Sequence, residues 1–148
     1  MKNIKIIGIL AIVFIAIAFH SAYSQKSNEP WTKQQLMEPA DLAKILNNQK
    51  AAQPVVFCIG PQAVIKNSIY IGSTRDKNNL NTLKQKLEKL PKNSNIIIYC
   101  GCCPFDRCPN IRPAFDLLNE MQFKNQKLLN LTRNIKVDWI DKGYPISN

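Results

Sequence analysis

The stretch Asn95-Ile96-Ile97-Ile98-Tyr99-Cys100-Gly101-Cys102-Cys103-Pro104-Phe105-Asp106-Arg107-Cys108-Pro109 carries most of the information in this chain. A continuous apolar run bounded by turn residues is the pattern of a strand covered on both faces. That run stops at Tyr99-Cys100 and gives way to a loop rich in Cys and Pro. Beyond the loop, Ile111, Ala114, Phe115, Leu118 and Met121 recur at helical spacing. Pro109 or Pro113 marks the first turn of that helix, where the N–H groups have no partner to lose. The stretch therefore reads as strand, cysteine loop, helix.

The same alternation extends outward in both directions. Val55 to Ile59 is a second buried strand between Pro54 and Gly60-Pro61. Ile69 to Ile71 is a short strand ended by Gly72. Between them and Asn95, Leu80, Leu83, Leu87 and Leu90 form an apolar stripe on a helix over 77–90, stopped by Pro91. Upstream, Leu36-Met37-Glu38 reads as a short strand, and Pro39 opens a helix with Leu42, Ala43, Ile45 and Leu46 on one face. Downstream, Lys127 to Leu131 is a third strong strand. A short helix from Ile135 to Lys142 is closed by Gly143 and Pro145. Strands alternating with helices define an α/β class with a parallel sheet. Sites in such sheets lie beyond the carboxyl ends of the strands. Cys100 falls at that place, with Cys58 near the end of the preceding buried strand.

The chain has 148 residues. Lys2 and Lys5 precede fourteen residues, Ile6 to Phe19, without a charge, and Ala22-Tyr23-Ser24 offers small residues at the two positions a signal peptidase reads. A spanning helix needs about 20 residues, so an export signal over 1–24, cleaved before Gln25, is expected rather than a retained anchor. Residues 25–30 form a polar leader, and 31–148 form one domain with Trp31 as its first anchor. From Gln25 onward 18 Lys and Arg stand against 10 Asp and Glu. The lysines are dispersed, without the aromatic-basic interleaving of a nucleic-acid surface. Nucleic acid is therefore not an expected partner, and neither is stable membrane insertion after cleavage.

His20 is the only histidine, and it lies within the signal. A mature chain without His has no Cys-His or Ser-His pair and no His-ligated metal. Five cysteines remain: Cys58, Cys100, Cys102, Cys103 and Cys108. Four of them fall within nine residues, too close to close stabilising loops among themselves, and an odd number leaves at least one thiol over. This density marks a site rather than a scaffold.

A loop that ends a strand and begins a helix presents backbone N–H groups and the positive end of the helix dipole, a setting that holds an anion. A thiolate is an anion, so a Cys placed there has a depressed pKa and is nucleophilic near neutral pH without a histidine base. Arg107 and Arg112 are candidates to add positive charge and to hold an anionic substrate. This fits a cysteine that accepts sulfur and carries it as a persulfide.

Ile96-Ile97-Ile98-Tyr99-Cys100, the loop, the helix ending in Leu117-Leu118-Asn119-Glu120-Met121-Gln122-Phe123, the strand Leu128-Leu129-Asn130-Leu131 and the ending Asp138-Trp139-Ile140-Asp141-Lys142-Gly143-Tyr144-Pro145 together resemble the rhodanese-like domain. Val55-Val56-Phe57-Cys58-Ile59 takes the place of that family's strand ending in Asp, and Ile69-Tyr70-Ile71-Gly72-Ser73 that of its His-Ile-Pro-Gly-Ala segment. The resemblance spans about residues 31–146. It implies a three-layer fold, a mostly parallel central sheet flanked by helices. It implies that Cys100 is the sulfur-carrying nucleophile, loaded by a small anionic sulfur donor and discharged by a thiophilic acceptor, in a monomer that needs no cofactor and no metal. Gly101, Cys102, Cys103 and Arg107 would then bind substrate. Cys58, Cys102, Cys103 and Cys108 are candidate resolving or disulfide partners, Cys103 first among the loop thiols. The chain departs from the family in its longer loop, with three further Cys, in Cys58 where the family has Asp, and in lacking Gly-Gly before Trp139. In a second register Cys103, not Cys100, opens the loop.

Two other readings use the same residues. Cys100-Gly101-Cys102-Cys103 contains a C-x-x-C after a strand and before a helix, the arrangement of a thiol–disulfide oxidoreductase using Cys100 and Cys103. Against it, only 45 residues follow Cys103, and no partner for a cis-Pro is evident. Cys100, Cys102, Cys103 and Cys108 are also a candidate thiolate set for Zn²⁺ or Cu(I), although neighbouring Cys102 and Cys103 point apart in most backbone conformations. A Cys-based phosphatase is excluded by spacing: Arg107 is one place too far from Cys100 and one too near Cys102.

Overall fold

Residues 29–147 are described by a computed structural model. The expected export signal, His20 and most of the polar leader lie outside the described residues. Five strands form: β1 (Leu36–Met37), β2 (Val55–Cys58), β3 (Ile69–Tyr70), β4 (Asn95–Tyr99) and β5 (Asn125–Leu129). All their pairings are parallel, in the order β1-β5-β4-β2-β3. Four helices connect or follow them: α1 (Pro39–Asn47), α2 (Lys77–Leu87), α3 (Ile111–Glu120) and α4 (Ile135–Asp138).

The pleat sorts the apolar residues into two layers, because successive strand residues point to opposite faces. Phe57, Ile59, Ile96, Ile98 and Leu128 pack with Leu83 and Leu87 of α2 and with Ile111, Ala114, Phe115 and Leu118 of α3. Val56, Cys58, Ile97, Tyr99 and Leu129 pack on the other face with Leu42, Ala43 and Leu46 of α1 and with Trp139. The architecture is thus the expected three-layer α/β sandwich around a parallel sheet. The helices owe their stability chiefly to these buried stripes, since helices this short are marginal alone.

Several boundaries differ from the sequence reading. β5 begins at Asn125, two residues before Lys127, because Asn95 and Ile96 of β4 extend the parallel register to Asn125 and Gln126. The buried Gln126 is accommodated by its amide donating to Asn119 Oδ1 at 2.8 Å. The helix expected over Ile135–Lys142 breaks at Trp139, whose φ of −132° is not helical. The Trp139 ring turns into the core instead and donates to the Pro145 carbonyl at 2.9 Å. A tight turn, Ile140–Lys142, then ends at Gly143 with φ 67°. β3 ends at Tyr70, one residue short of Ile71, as an exposed edge, and the helix expected over 77–90 ends at Leu87.

Trp31 closes the α2/α3 layer, edge-on to Phe115 with centroids 5.8 Å apart. Trp139 closes the other, edge-on to Tyr144 at 5.2 Å. Both tryptophans are packing anchors. Among the described residues no helix is long and apolar enough to cross a membrane.

Candidate functional site

Cys100 is the first residue beyond β4, the central strand of the sheet. The alternation that buries Tyr99 against α1 turns Cys100 toward α3, and only 2% of Cys100 is exposed. Its backbone is held on both sides. Ile59 N–H donates to the Tyr99 carbonyl at 2.9 Å, which carries the β2–β4 ladder to its end. Gly60 then passes so close that a Cβ there would fall on the Cys100 carbonyl. On the other side Gly101 takes φ 87°, and its carbonyl accepts from Ile135 N–H at 2.9 Å at the start of α4. A side chain at Gly101 would be strained and would press on Ile135.

Four sulfurs meet above this strand end. Cys102 Sγ lies 3.3 Å from Cys100 Sγ, and Cys103 Sγ lies 3.3 Å from Cys102 Sγ. The sulfurs of Cys100, Cys102 and Cys108 all lie within 4.8 Å of one another. All five cysteines are free thiols. Cys100 and Cys108 are buried, Cys103 is partly buried and Cys102 is exposed, so the cluster opens to solvent at one corner. The loop is fastened where Phe105 N–H donates to the Leu131 carbonyl at 3.0 Å.

The sequence reading missed Asn110. It occupies the N-cap position of α3, yet its side chain makes no capping bond. Its Nδ2 instead donates to Cys100 Sγ at 3.2 Å, and its Oδ1 accepts from Ser73 Oγ at 2.7 Å. Thr74 Oγ1 donates to the Asn110 carbonyl, and Asn79 Nδ2 donates to the Ser73 carbonyl. A chain of polar contacts thus runs from α2 through the loop after β3 to the sulfur of Cys100. Asn110 is 6% exposed. The available signal was an Asn two residues after a Cys and directly before an apolar helical stripe, which also describes an ordinary cap.

These contacts set the protonation of the cluster. The Cys108 thiol donating to Cys100, followed by the Asn110 amide and the Cys102 N–H, outweighs burial and brings Cys100 down to about 5. Cys108 is pushed well above the ordinary thiol range, first because its proton is shared with Cys100. Cys102 is raised to about 12 as its sulfur is drawn from water and placed between Cys100 and Cys103. One thiolate stabilised by neutral neighbours is the result, and the favoured anion is Cys100.

The remaining expected residues fall differently. Cys58 projects to the α1 face, away from the cluster, and its thiol donates to the Gln62 carbonyl at 3.1 Å. Burial raises its pKa. Arg107 lies exposed in the loop and makes no ion pair among the described residues. Arg112 turns away from the sulfurs. It pairs with Glu29 at 2.5 Å, donates to the Asp106 carbonyl at 3.1 Å and covers the Trp31 ring at 5.6 Å. A cavity of about 450 Å³ opens at the opposite end of the sheet beside Asn95 and Asn125, and holds none of the cysteines.

No protein-family model matches this chain, and no curated protein is significantly similar to it.

Proposed function

We propose that this chain is an exported sulfur carrier of the sulfurtransferase type, with Cys100 as the nucleophile. The observation that carries the reading is the buried Cys100 sulfur at the carboxyl end of the central strand, with the Asn110 amide donating to it at 3.2 Å and the Cys102 sulfur 3.3 Å away. Such a thiolate is ready to attack without a histidine base. In the forward step Cys100 thiolate attacks the outer sulfur of a thiosulfate-like donor. The new S–S bond makes a Cys100 persulfide, the donor S–S bond breaks, and sulfite leaves with its electron pair. The same N–H groups that hold the thiolate then hold the terminal persulfide sulfur. A thiophilic acceptor such as cyanide attacks that sulfur, leaves as thiocyanate and restores the thiolate. Arg107, exposed in the same loop, is the candidate side chain to attract the anionic donor.

The test is the intact mass of the reduced protein before and after thiosulfate. One added sulfur on the peptide containing Cys100, removed by cyanide and absent from Cys100→Ser, is the expected result. Full loading of Cys100→Ser overturns the assignment.

A second reading, thiol–disulfide exchange, is favoured by the 3.3 Å approach of Cys102 to Cys100. The sequence pattern pointed to Cys103 as the partner, whereas the thiol beside Cys100 is that of Cys102. Here Cys100 attacks a partner disulfide, Cys102 resolves the mixed disulfide, and the partner leaves as a dithiol. No gain of sulfur from thiosulfate, with loss of two hydrogens on treatment with a small-molecule disulfide that a dithiol reverses, selects this reading.

A further inference from the structure

The cysteine cluster has a second chemical capacity that does not depend on sulfur transfer. We infer that Cys100, Cys102 and Cys108 form a three-thiolate site for the soft monovalent cation Cu(I). The three sulfurs lie within 4.8 Å of one another, two of them 3.3 Å apart. Three sulfurs each about 2.3 Å from a central cation, a usual metal–thiolate distance, stand about 4 Å apart in a trigonal array. The spacing present therefore needs adjustments of under about 1 Å to enclose an ion.

The donor set selects the metal class. It is sulfur alone, with no carboxylate or imidazole in the group. Soft thiolate donors disfavour magnesium and calcium and favour Cu(I) and Zn²⁺. A structural zinc site closes with four protein ligands, and the group holds three. Cys103, whose sulfur is 3.3 Å from that of Cys102 but which is not among the three, is placed as the thiol that passes the ion in. The backbone fixes the ligands from both sides, through the Ile135 N–H on the Gly101 carbonyl and through the Cys108 carbonyl accepting from Ile111 N–H at 3.3 Å. Cys102 is exposed, which gives the ion an entrance, while Cys100 and Cys108 are buried.

Binding involves no electron transfer. Copper enters and remains as Cu(I), three S–Cu bonds form, and the thiols that are protonated release their protons to solvent. A loaded site occupies the Cys100 sulfur, so copper and sulfane sulfur compete for it.

The experiment uses the full chain, reduced and anaerobic, with Cu(I) and the chelator bathocuproine disulfonate as competitor. One copper per chain retained against the chelator is expected. Cys102→Ser, at an exposed position that leaves the core intact, and Cys108→Ser should each weaken retention by more than the roughly tenfold that follows loss of a mere ligand-orienting partner. Cys103→Ser should retain the ion at equilibrium and take it up more slowly. No retention by the wild-type chain, retention unchanged in Cys102→Ser, an equal loss in Cys103→Ser, or preference for Zn²⁺ over Cu(I) each overturns the three-thiolate site. Thiosulfate loading is measured separately, so copper retention without sulfur uptake removes the sulfur-carrier reading alone.

Discussion

The side-chain amide of Asn110 donates to the sulfur of Cys100 at 3.2 Å from the position where it would ordinarily cap its own helix. An Asn that leaves a helix start uncapped gives up about 1 kcal/mol of helix stability. Its polar groups are committed to Cys100 and Ser73 instead, so the amide acts as a positioning group for the thiolate.

Replacing that amide tests the relationship directly. A hydrogen bond to a charged group contributes about 1.5–3 kcal/mol, and 1.36 kcal/mol corresponds to about one pKa unit. Asn110→Ala should therefore raise the Cys100 midpoint by about one to two units. The measurement is the pH dependence of iodoacetamide labelling at Cys100, read by mass spectrometry. An unchanged profile would remove Asn110 from the site.

In the wild-type chain, labelling of Cys100 should rise through about pH 5 and be flat at neutral pH. The sign follows from the direction of the shift. The folded value lies below that of an ordinary thiol, so the thiolate is fully formed at pH 7 and is lost only as the pH falls through 5. Cys102, raised to about 12, should label slowly at neutral pH despite its exposure. Labelling of Cys100 that climbed through pH 8 to 9 would contradict the arrangement of donors around it.

Gly60 and Gly143 offer a matched pair. A Cβ at Gly60 meets backbone atoms of Cys100, which cannot rotate away. Gly60→Ala should cost about 1–3 kcal/mol, the range for overpacking, and should displace Cys100. At Gly143 the space is open and only the positive φ opposes a side chain. Gly143→Ala should cost about 1–2 kcal/mol with sulfur loading intact. Chemical denaturation of both variants, set beside loading assays, separates the two effects; normal loading by Gly60→Ala would show that the close approach is not needed.

The Tyr99 hydroxyl accepts from Val64 N–H at 3.0 Å and Ile65 N–H at 3.1 Å and meets Ser68 Oγ at 3.0 Å. Tyr99→Phe leaves these groups without that partner, at about 1–3 kcal/mol for a buried unsatisfied group. The denaturation midpoint should fall with an unchanged slope, and Cys100 labelling should keep its midpoint. A shifted labelling midpoint would mean that the two faces of β4 are electrically coupled.

The fold was readable because the buried strands and helical stripes are periodic. Ile96, Ile97 and Ile98 leave little choice but a strand covered on both sides, and Leu83 and Leu87 dock as their spacing requires. Polar positions were harder. Gln126 joined β5 because a partner on α3 was in reach, a fact that no local pattern carries. The site was half legible. Position at a strand end singled out Cys100, and density singled out its neighbouring thiols. Which thiol stands next to it depends on the left-handed turn at Gly101, and the roles of Asn110, Ser73 and Cys58 depend on which face each strand end presents. Arg112 looked available for a substrate until Glu29 and Trp31 were brought to it from more than 80 residues away.

Tyr99 and Cys100 are adjacent in sequence and point to opposite sides of one sheet, the first tied into a web of hydrogen bonds and the second carrying the sulfur that its neighbours favour as an anion. Sliding β4 by a single residue would carry the phenol into the sulfur cluster and the thiol into the tyrosine's socket, so no partial slip preserves either. The alignment of the central strand and the protonation of Cys100 are thus one variable. A thiol probe that discriminates the fast cysteine from the slow ones is also a gauge of whether each molecule in a preparation has its sheet in register.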